Sequence, residues 1–300
     1  MTFGSLFAGI GGFDLGLARA GMTCAWQCEI NEDATKILQR HWPDVVRHGD
    51  VRTLDASRRK WKVDCVASGF PCQDVSLCGK KTGLEGERSA LFWEFVRVIE
   101  EMEPRWIILE SVPGLLSRNE GRDFYTVLRA LAERRYVCAY RIFDARHFGV
   151  PQLRERVFVI GNLGDWSTPA RVVFDAASVL ECDRQGRSQQ DHLAARSEAG
   201  APFVFQTRIA RVKRGLPTRF IPTLTSYERT GIHSDSKPHV VTKKGIRRLT
   251  VREHERAQGF PDDWTAGLDD RTRRMLVGNA VVPAIAEWLG RRIINVAKEN

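Results

Sequence analysis

The 300-residue chain has no uninterrupted apolar run approaching the roughly 18 residues that a membrane span needs, and its opening, MTFGSLFAGIGGF, has no basic stretch ahead of an apolar one. These two absences argue against a membrane span and a secretory leader, and the expected location is the cytoplasm. A disulfide framework is missing as well: seven cysteines are an odd number, and without a secretory signal they are expected as reduced thiols. Cys24 and Cys28 form the closest pair, but the alternation from Met22 to Ile30 suggests a strand. No other Cys or Cys/His pair has zinc-ligand spacing, so no metal is expected. Internal repeats are absent, and none of the seven histidines needs a role. With 43% hydrophobic and 28% charged residues, a disordered or fibrous chain is excluded in favour of an ordinary globular one.

Acidic residues are scarce in one place. Residues 201–248 hold eleven Lys or Arg against two Asp or Glu, a surplus equal to the net charge of +9 for the whole chain. The remainder is therefore neutral. Concentrated positive charge suits a polyanion, because Lys and Arg that neutralise phosphates release condensed counterions, although a solvated basic loop would look the same from charge alone.

What the sequence does contain is a β–α alternation in its first half. Apolar runs at 2–7, 23–28, 63–67 and 106–109, with later ones at 137–143 and 157–160, predict strands. Between them, 33–40, 91–101 and 123–134 carry apolar residues at three- and four-residue spacing and predict helices. This is the pattern of βαβ units, a parallel sheet and a Rossmann-like α/β domain. From about Asn162 the periodicity weakens, Gly, Pro, Ser and Arg become frequent, and 183–200 reads as loop. Thr250 with Glu253 three positions on predicts a helix over 250–258 opened by a capping box, and 280–297 is again helical with one apolar face.

Three segments carry chemistry. Phe7-Ala8-Gly9-Ile10-Gly11-Gly12 joins the first strand to a helix, where glycines let a ligand approach the backbone; a tight structural turn is the plainer alternative. Asp14 occupies the third glycine position of a dinucleotide fingerprint, which weakens a nicotinamide dehydrogenase reading. Glu29, at the end of the second strand, is placed to accept from ribose hydroxyls, so a nucleoside-containing cofactor is implied. Gly69-Phe70-Pro71-Cys72-Gln73 follows the third strand, so Cys72 stands either as a nucleophile or as an inert thiol in a loop at the carboxyl end of the sheet. Glu110 ends the Trp106 strand, and Arg154 and Arg156, two apart, would share one strand face.

Taken together these segments resemble the DNA (cytosine-5) methyltransferase family, bacterial or phage type, along the whole chain apart from the basic region. Phe7 to Gly12 resembles its cofactor motif, and GFPCQDVS from Gly69 to Ser76 its catalytic loop. Glu110-Ser111-Val112 resembles Glu-Asn-Val, and Gln152-Leu153-Arg154-Glu155-Arg156 resembles Gln-x-Arg-x-Arg. Arg248-Leu249-Thr250-Val251-Arg252-Glu253 with Gln258-Gly259-Phe260-Pro261, then Gly278-Asn279-Ala280-Val281, resemble the last two motifs. Ser111 departs from the usual Asn, and Ala280 from a common Ser; neither removes a reacting group.

The resemblance implies S-adenosyl-L-methionine as cofactor, with Phe7, Gly9, Gly11, Gly12, Glu29 at the ribose, Ile30 and Asp50 at the adenine, Pro71, Leu91 and Asn279 around it. It implies Cys72 as the nucleophile on a flipped cytosine, Glu110 as the acid beside N3, and Arg154 and Arg156 as active-site arginines that hold the base carbonyl or a phosphate and lower the thiol pKa. Gln73, Ser76, Arg211, Lys213, Arg214 and Thr223, the last in the dipeptide Thr223-Leu224, are expected to meet double-stranded DNA. Residues 73–88 are expected to form a mobile loop over the base. The expected organisation is a Rossmann-like S-adenosylmethionine-dependent methyltransferase domain, residues 1–162 completed by 276–300. A smaller, irregular target-recognition domain would span 163–275. The protein is expected to be a monomer, and whether a companion restriction endonuclease accompanies it is not written in these residues. A transfer-RNA cytosine methyltransferase keeps the chemistry but has less use for a separate basic region of this size. A catalytically idle cofactor-binding regulator would not need Cys72, Glu110, Arg154 and Arg156 together.

Overall fold

The structure, a computed structural model, describes residues 1–70, 90–174, 204–206, 221–224, 238–242 and 245–299. The expected loops at 73–88 and 183–200 lie outside these residues. The first elements are β1 (Thr2–Leu6), α1 (Gly12–Arg19), β2 (Thr23–Cys28), α2 (Glu32–His41), β3 (Val46–His48) and β4 (Cys65–Ser68). There follow α3 (Ala90–Met102), β5 (Trp106–Ser111), α4 (Gly114–Ser117), α5 (Arg122–Ala132), β6 (Tyr136–Asp144), β7 (Gln152–Leu153), β8 (Glu155–Leu163) and α6 (Thr168–Phe174). The chain closes with β9 (Val204–Gln206), β10 (Ile221–Pro222), β11 (Pro238–Thr242), β12 (Gly245–Arg248), α7 (Val251–Gln258), α8 (Asp270–Asn279) and α9 (Pro283–Lys298).

Seven strands form one sheet in the order β3-β2-β1-β4-β5-β8-β6. The pairs β2–β3, β1–β2, β1–β4 and β4–β5 are parallel, so these strands end on one edge of the sheet. The β5–β8 pair is antiparallel, which corrects the expectation of a wholly parallel sheet. Alternation cannot report strand direction, and β8 returns without a crossover helix. Trp106-Ile107-Ile108-Leu109 reads as a continuous apolar run because β5 is central and all six of its residues are buried. One face is sealed by α3, whose Phe92, Phe95, Val96, Ile99 and Met102 recur at helical spacing and are at most 2% exposed. Trp26 and Trp61 meet edge to face at 6.0 Å in the same core, and the Trp26 Nε1–H donates to the Trp61 carbonyl.

The chain divides into two compact units. One comprises Met1–Phe143, Glu155–Ala176 and Ala286–Asn300. The other takes in Asp144–Arg154 and the described residues between 177 and 285. These bounds depart from the expected ones at 163–176, 144–154 and 276–285. In the first unit α6 packs on β8, Val172 and Val173 are fully buried, and Arg141 donates to the Val173 carbonyl at 2.9 Å. Leu289 and Ile293 of α9 are also fully buried there, and Trp288 meets Phe143 edge to face at 5.3 Å. In the second unit the segment 144–154 is tied back on itself by Ala145 N donating to Arg154 O, and β7 pairs with β10.

That second unit also holds the antiparallel sheet β12-β11-β9. α7 starts with the expected capping box: Thr250 Oγ1 accepts from Glu253 N, and Glu253 Oε2 accepts from Thr250 N at 2.8 Å. α8 was not foreseen, since its apolar residues bunch at 275–277 instead of recurring along a face. The last helix begins at Pro283 and not at Ala280, because proline disfavours helical backbone in the residue before it.

Candidate active site

Between β1 and α1 the chain turns through residues 7–11, and three of the five lie at positive φ: Phe7 at 53°, Gly9 at 57° and Gly11 at 83°. A Cβ on Gly11 would stand 2.5 Å from the Trp42 ring, so glycine is demanded there by packing as well as by φ. Gly9 differs. Its chain neighbours aside, no atom of the described residues lies within 4 Å of where its Cβ would be, so its backbone faces open space among them. Ala8 N donates to the Cys28 carbonyl at 3.1 Å, which fixes the turn against the end of β2.

Glu29 follows β2 directly and grips that turn: Oε2 accepts from Gly9 N at 2.7 Å and Oε1 from Asn31 N at 2.8 Å. Burial raises its carboxyl pKa, against the opposing pull of these backbone donors. Ile30 beside it is 65% exposed. Asp50, two residues past β3, caps a 3-10 turn with Oδ1 accepting from Arg52 N, and hydrogen bonds from the Arg52 side chain hold its carboxyl below the usual range. Gly12 opens α1, and Phe7 and Leu91 pack, partly buried, against the core of this unit. All of these except Leu91 follow the carboxyl ends of β1, β2 and β3.

At the next positions on that edge, β4 ends at Ser68 in register with Leu109 of β5, and Phe70 is buried against Phe92. Pro71, Cys72, Gln73 and Ser76 lie outside the described residues. Among the described cysteines none suits a nucleophile: burial pushes the Cys28 and Cys138 thiols up to about 12, and Cys24 and Cys65 higher still. Glu110, one residue beyond Leu109, is 8% exposed, and its Oε1 lies 3.1 Å from Arg156 Nε on β8. Ser111 is 1% exposed, and its hydroxyl has no hydrogen-bond partner among the described residues.

Arg154 goes elsewhere. The strand is interrupted at this residue between β7 and β8, so the expectation that Arg154 and Arg156 share a strand face is corrected. In the second compact unit the Arg154 guanidinium, 2% exposed, donates to the carbonyls of Leu224, Gly278 and Ala280 at 2.9 to 3.1 Å. Gln152 works with it: its Nε2 donates to the Ala257 carbonyl and to Gln258 Oε1, and its Oε1 accepts from Leu224 N. Thr223 Oγ1 donates to the Leu153 carbonyl. Asn279 ends α8 with an exposed side chain in this same unit. Arg211, Lys213 and Arg214 lie outside the described residues.

The family model for C-5 cytosine-specific DNA methylase matches residues 1–194 and 176–295. The chain belongs to that family. Over 301 residues the methylase is 34% identical to the type II methyltransferase M2.BsuMI of Bacillus subtilis (strain 168), covering 96% of this chain and 74% of that one. It is 30% identical to M.HpaII of Haemophilus parainfluenzae, with 98% and 89% covered. Its fold matches the crystal structure of the S. pombe Dnmt2 methyltransferase with a TM-score of 0.65 at 18% identity, covering 98% of each chain. The protein is accordingly an S-adenosylmethionine-dependent DNA (cytosine-5) methyltransferase.

In this methylase the first compact unit brings together Phe7, Gly9, Gly11, Gly12, Glu29, Ile30 and Asp50 as a cradle, and Glu110 with Arg156 as an ion pair. Two residues with no role assigned from sequence are Gln152 and Gln258. Both are fully buried polar side chains, yet their partners lie as far as 106 residues away in sequence, and no local pattern reports such a pairing.

Proposed function

We propose that the cradle from Phe7 to Asp50 binds S-adenosyl-L-methionine and that Cys72, Glu110 and Arg156 carry the chemistry on the base. The residues present fit the cofactor. The open face of Gly9 admits a ligand at the backbone, and the Glu29 oxygens keep lone pairs for ribose hydroxyls. Exposed Ile30 offers an apolar face for adenine, and Asp50 an acceptor for its amine. Bound there, S-adenosylmethionine supplies an electrophilic methyl group.

The rest follows from the chemistry of cytosine, whose C5 is a poor nucleophile. The Cys72 thiolate would add to C6, and the electron pair released toward N3 would be met by a hydrogen bond or proton from Glu110, so C5 would become enamine-like and able to take the methyl group as its carbon–sulfur bond breaks with the electron pair left on sulfur. The C5 proton then passes to water, the C6–S bond breaks with its electron pair returning to the Cys72 thiolate, and N3 gives its proton back toward Glu110, which restores the aromatic ring. The observation that supports this reading best is the Glu110–Arg156 pair, with side chains only 10% and 16% exposed, on the sheet edge that holds the cofactor cradle. Arg156 fixes the carboxyl where water competes little, and each side chain would be costly to leave alone. We assign Arg154 a positioning role through the Leu224 and Gly278–Ala280 carbonyls, and the second compact unit to target recognition. The substrate we propose is double-stranded DNA, read by a monomeric enzyme with the basic region 201–248, including Thr223 and the run around Arg211, Lys213 and Arg214.

The test uses duplex DNA carrying 5-fluorocytosine, in which C5 has no proton to lose and the adduct persists. Wild type should form a denaturant-stable complex, and Cys72→Ser none, with S-adenosylmethionine affinity by calorimetry changed less than about threefold. Methyl transfer by Cys72→Ser within tenfold of wild type would sink the covalent mechanism, since a neutral hydroxyl is a far weaker nucleophile.

A further inference from the structure

We propose that Arg97, on α3, is a positioning residue for the cofactor and acts through Asp50; this rests on the reading that Asp50 accepts from the adenine amine. Arg97 Nη2 donates to the Val51 carbonyl and Nη1 to the Leu54 carbonyl, each at 2.8 Å. These carbonyls belong to the two ends of the 3-10 turn that Asp50 caps. One planar guanidinium therefore spans the turn, as its fixed fork geometry allows and a lysine would not.

The guanidinium is itself held. Its Nε donates to Glu94 Oε2 at 2.9 Å and its Nη1 to Glu101 Oε1 at 2.8 Å, one turn to either side on α3. The other Glu101 oxygen accepts from Ala56 N at 2.9 Å, so the same carboxylate fixes the chain just past the turn. On the opposite side Thr53 N and Oγ1 donate to the Asp50 carbonyl at 3.0 and 2.9 Å. Thr53 Oγ1 also lies 2.9 Å from His48 Nε2, and the His48 carbonyl accepts from Glu29 N. The Asp50 turn is thus braced between α3 and the backbone that carries Glu29.

Ion pairs of Arg97 with Glu94 and Glu101 would by themselves be ordinary helix-surface pairs of little consequence. The two bonds to backbone carbonyls 43 and 46 residues earlier are different, because they set where the Asp50 carboxylate stands.

The experiment measures S-adenosylmethionine affinity and steady-state kinetics for the full-length enzyme carrying Arg97→Met, Arg97→Lys, Asp50→Ala and the double variant Asp50→Ala/Arg97→Met. Arg97→Met should weaken cofactor binding about tenfold while kcat at saturating cofactor changes less than about threefold and DNA affinity holds. Arg97→Lys, which can reach one carbonyl, should fall between. In the Asp50→Ala background the added cost of Arg97→Met should shrink toward nothing, because a residue acting through Asp50 has nothing left to place. Equal costs in both backgrounds, or an Arg97→Met enzyme with unchanged affinity while Asp50→Ala binds weakly, would overturn the inference and leave the adenine reading intact. Asp50→Ala with wild-type affinity would remove the adenine reading and the inference together. Should Arg97→Met fail to fold, the same comparisons are read from Arg97→Lys.

Discussion

Glu110 and Glu29 are both carboxylates at strand ends, and their surroundings separate their work. Glu110 faces a guanidinium at 3.1 Å and is almost closed to solvent, which keeps one carboxyl oxygen engaged; on the proposed mechanism the other meets the base. Glu110→Gln preserves shape but cannot deliver the proton, so single-turnover methylation should slow by roughly 10²-fold or more, the scale of lost acid catalysis. A rate unchanged from wild type would take Glu110 out of the reaction. Glu29 is held instead by two backbone N–H groups, and on the proposed cofactor reading its replacement by alanine removes charge-assisted bonds to the ribose. Calorimetry should show S-adenosylmethionine binding weakened by roughly 1 to 3 kcal/mol, and an equal affinity would refute the ribose assignment.

At the scale of elements, α1 carries a buried acid that the reaction does not use. Asp14 is fully buried and accepts from Ser5 Oγ of β1 at 3.1 Å and Gln27 Nε2 of β2 at 2.9 Å, with the Cys24 thiol at 3.5 Å. Arg47 of β3 donates to Gln27 Oε1, so the network links α1 to β1, β2 and β3. Burial raises the Asp14 pKa above its ordinary 3.8, more strongly than the hydrogen bonds lower it. The folded chain then holds this proton to higher pH than the unfolded chain. The associated stability is present in full below 3.8 and is lost as pH rises through the raised value. Asp14→Asn cannot titrate, so the difference in urea stability between wild type and variant should move against wild type as pH increases through that window. A difference independent of pH would show that Asp14 keeps an ordinary pKa.

At the scale of the whole molecule, the charge is segregated: a chain otherwise neutral carries its surplus in residues 201–248. If these neutralise phosphates, log affinity for duplex DNA should fall against log salt by about 0.9 per phosphate contacted. Neutralising Arg211, Lys213 and Arg214 together should flatten that slope. Replacing the segment with that of another methylase should move the methylated sequence, read by bisulfite mapping, while Cys72 chemistry persists. An active chimera that still marks the original sites would place recognition elsewhere in the chain.

The sequence alone determined the α/β pattern, the turn after β1, the capping box of α7 and the order of the six motifs. Each is a local matter, written in side-chain periodicity, in glycine at a positive φ or in residues a few positions apart. Glu29 was legible for the same reason, since it stands at a strand end that alternation locates, whereas Asp50 follows a three-residue strand that alternation did not predict and was named only through the family resemblance. What the tertiary structure decided is where separate pieces meet. Arg154 and Arg156 look equivalent in the sequence, but a break between β7 and β8 sends one into a nest of carbonyls and the other to Glu110. Arg97 reads as one more charge on a helix face until its carbonyl partners 43 and 46 residues away are seen. The antiparallel return of β8 and the Gln152–Gln258 pairing escaped notice likewise. Hydrogen bonds between distant segments depend on which backbone groups folding leaves unpaired, and no window of neighbouring residues contains that information.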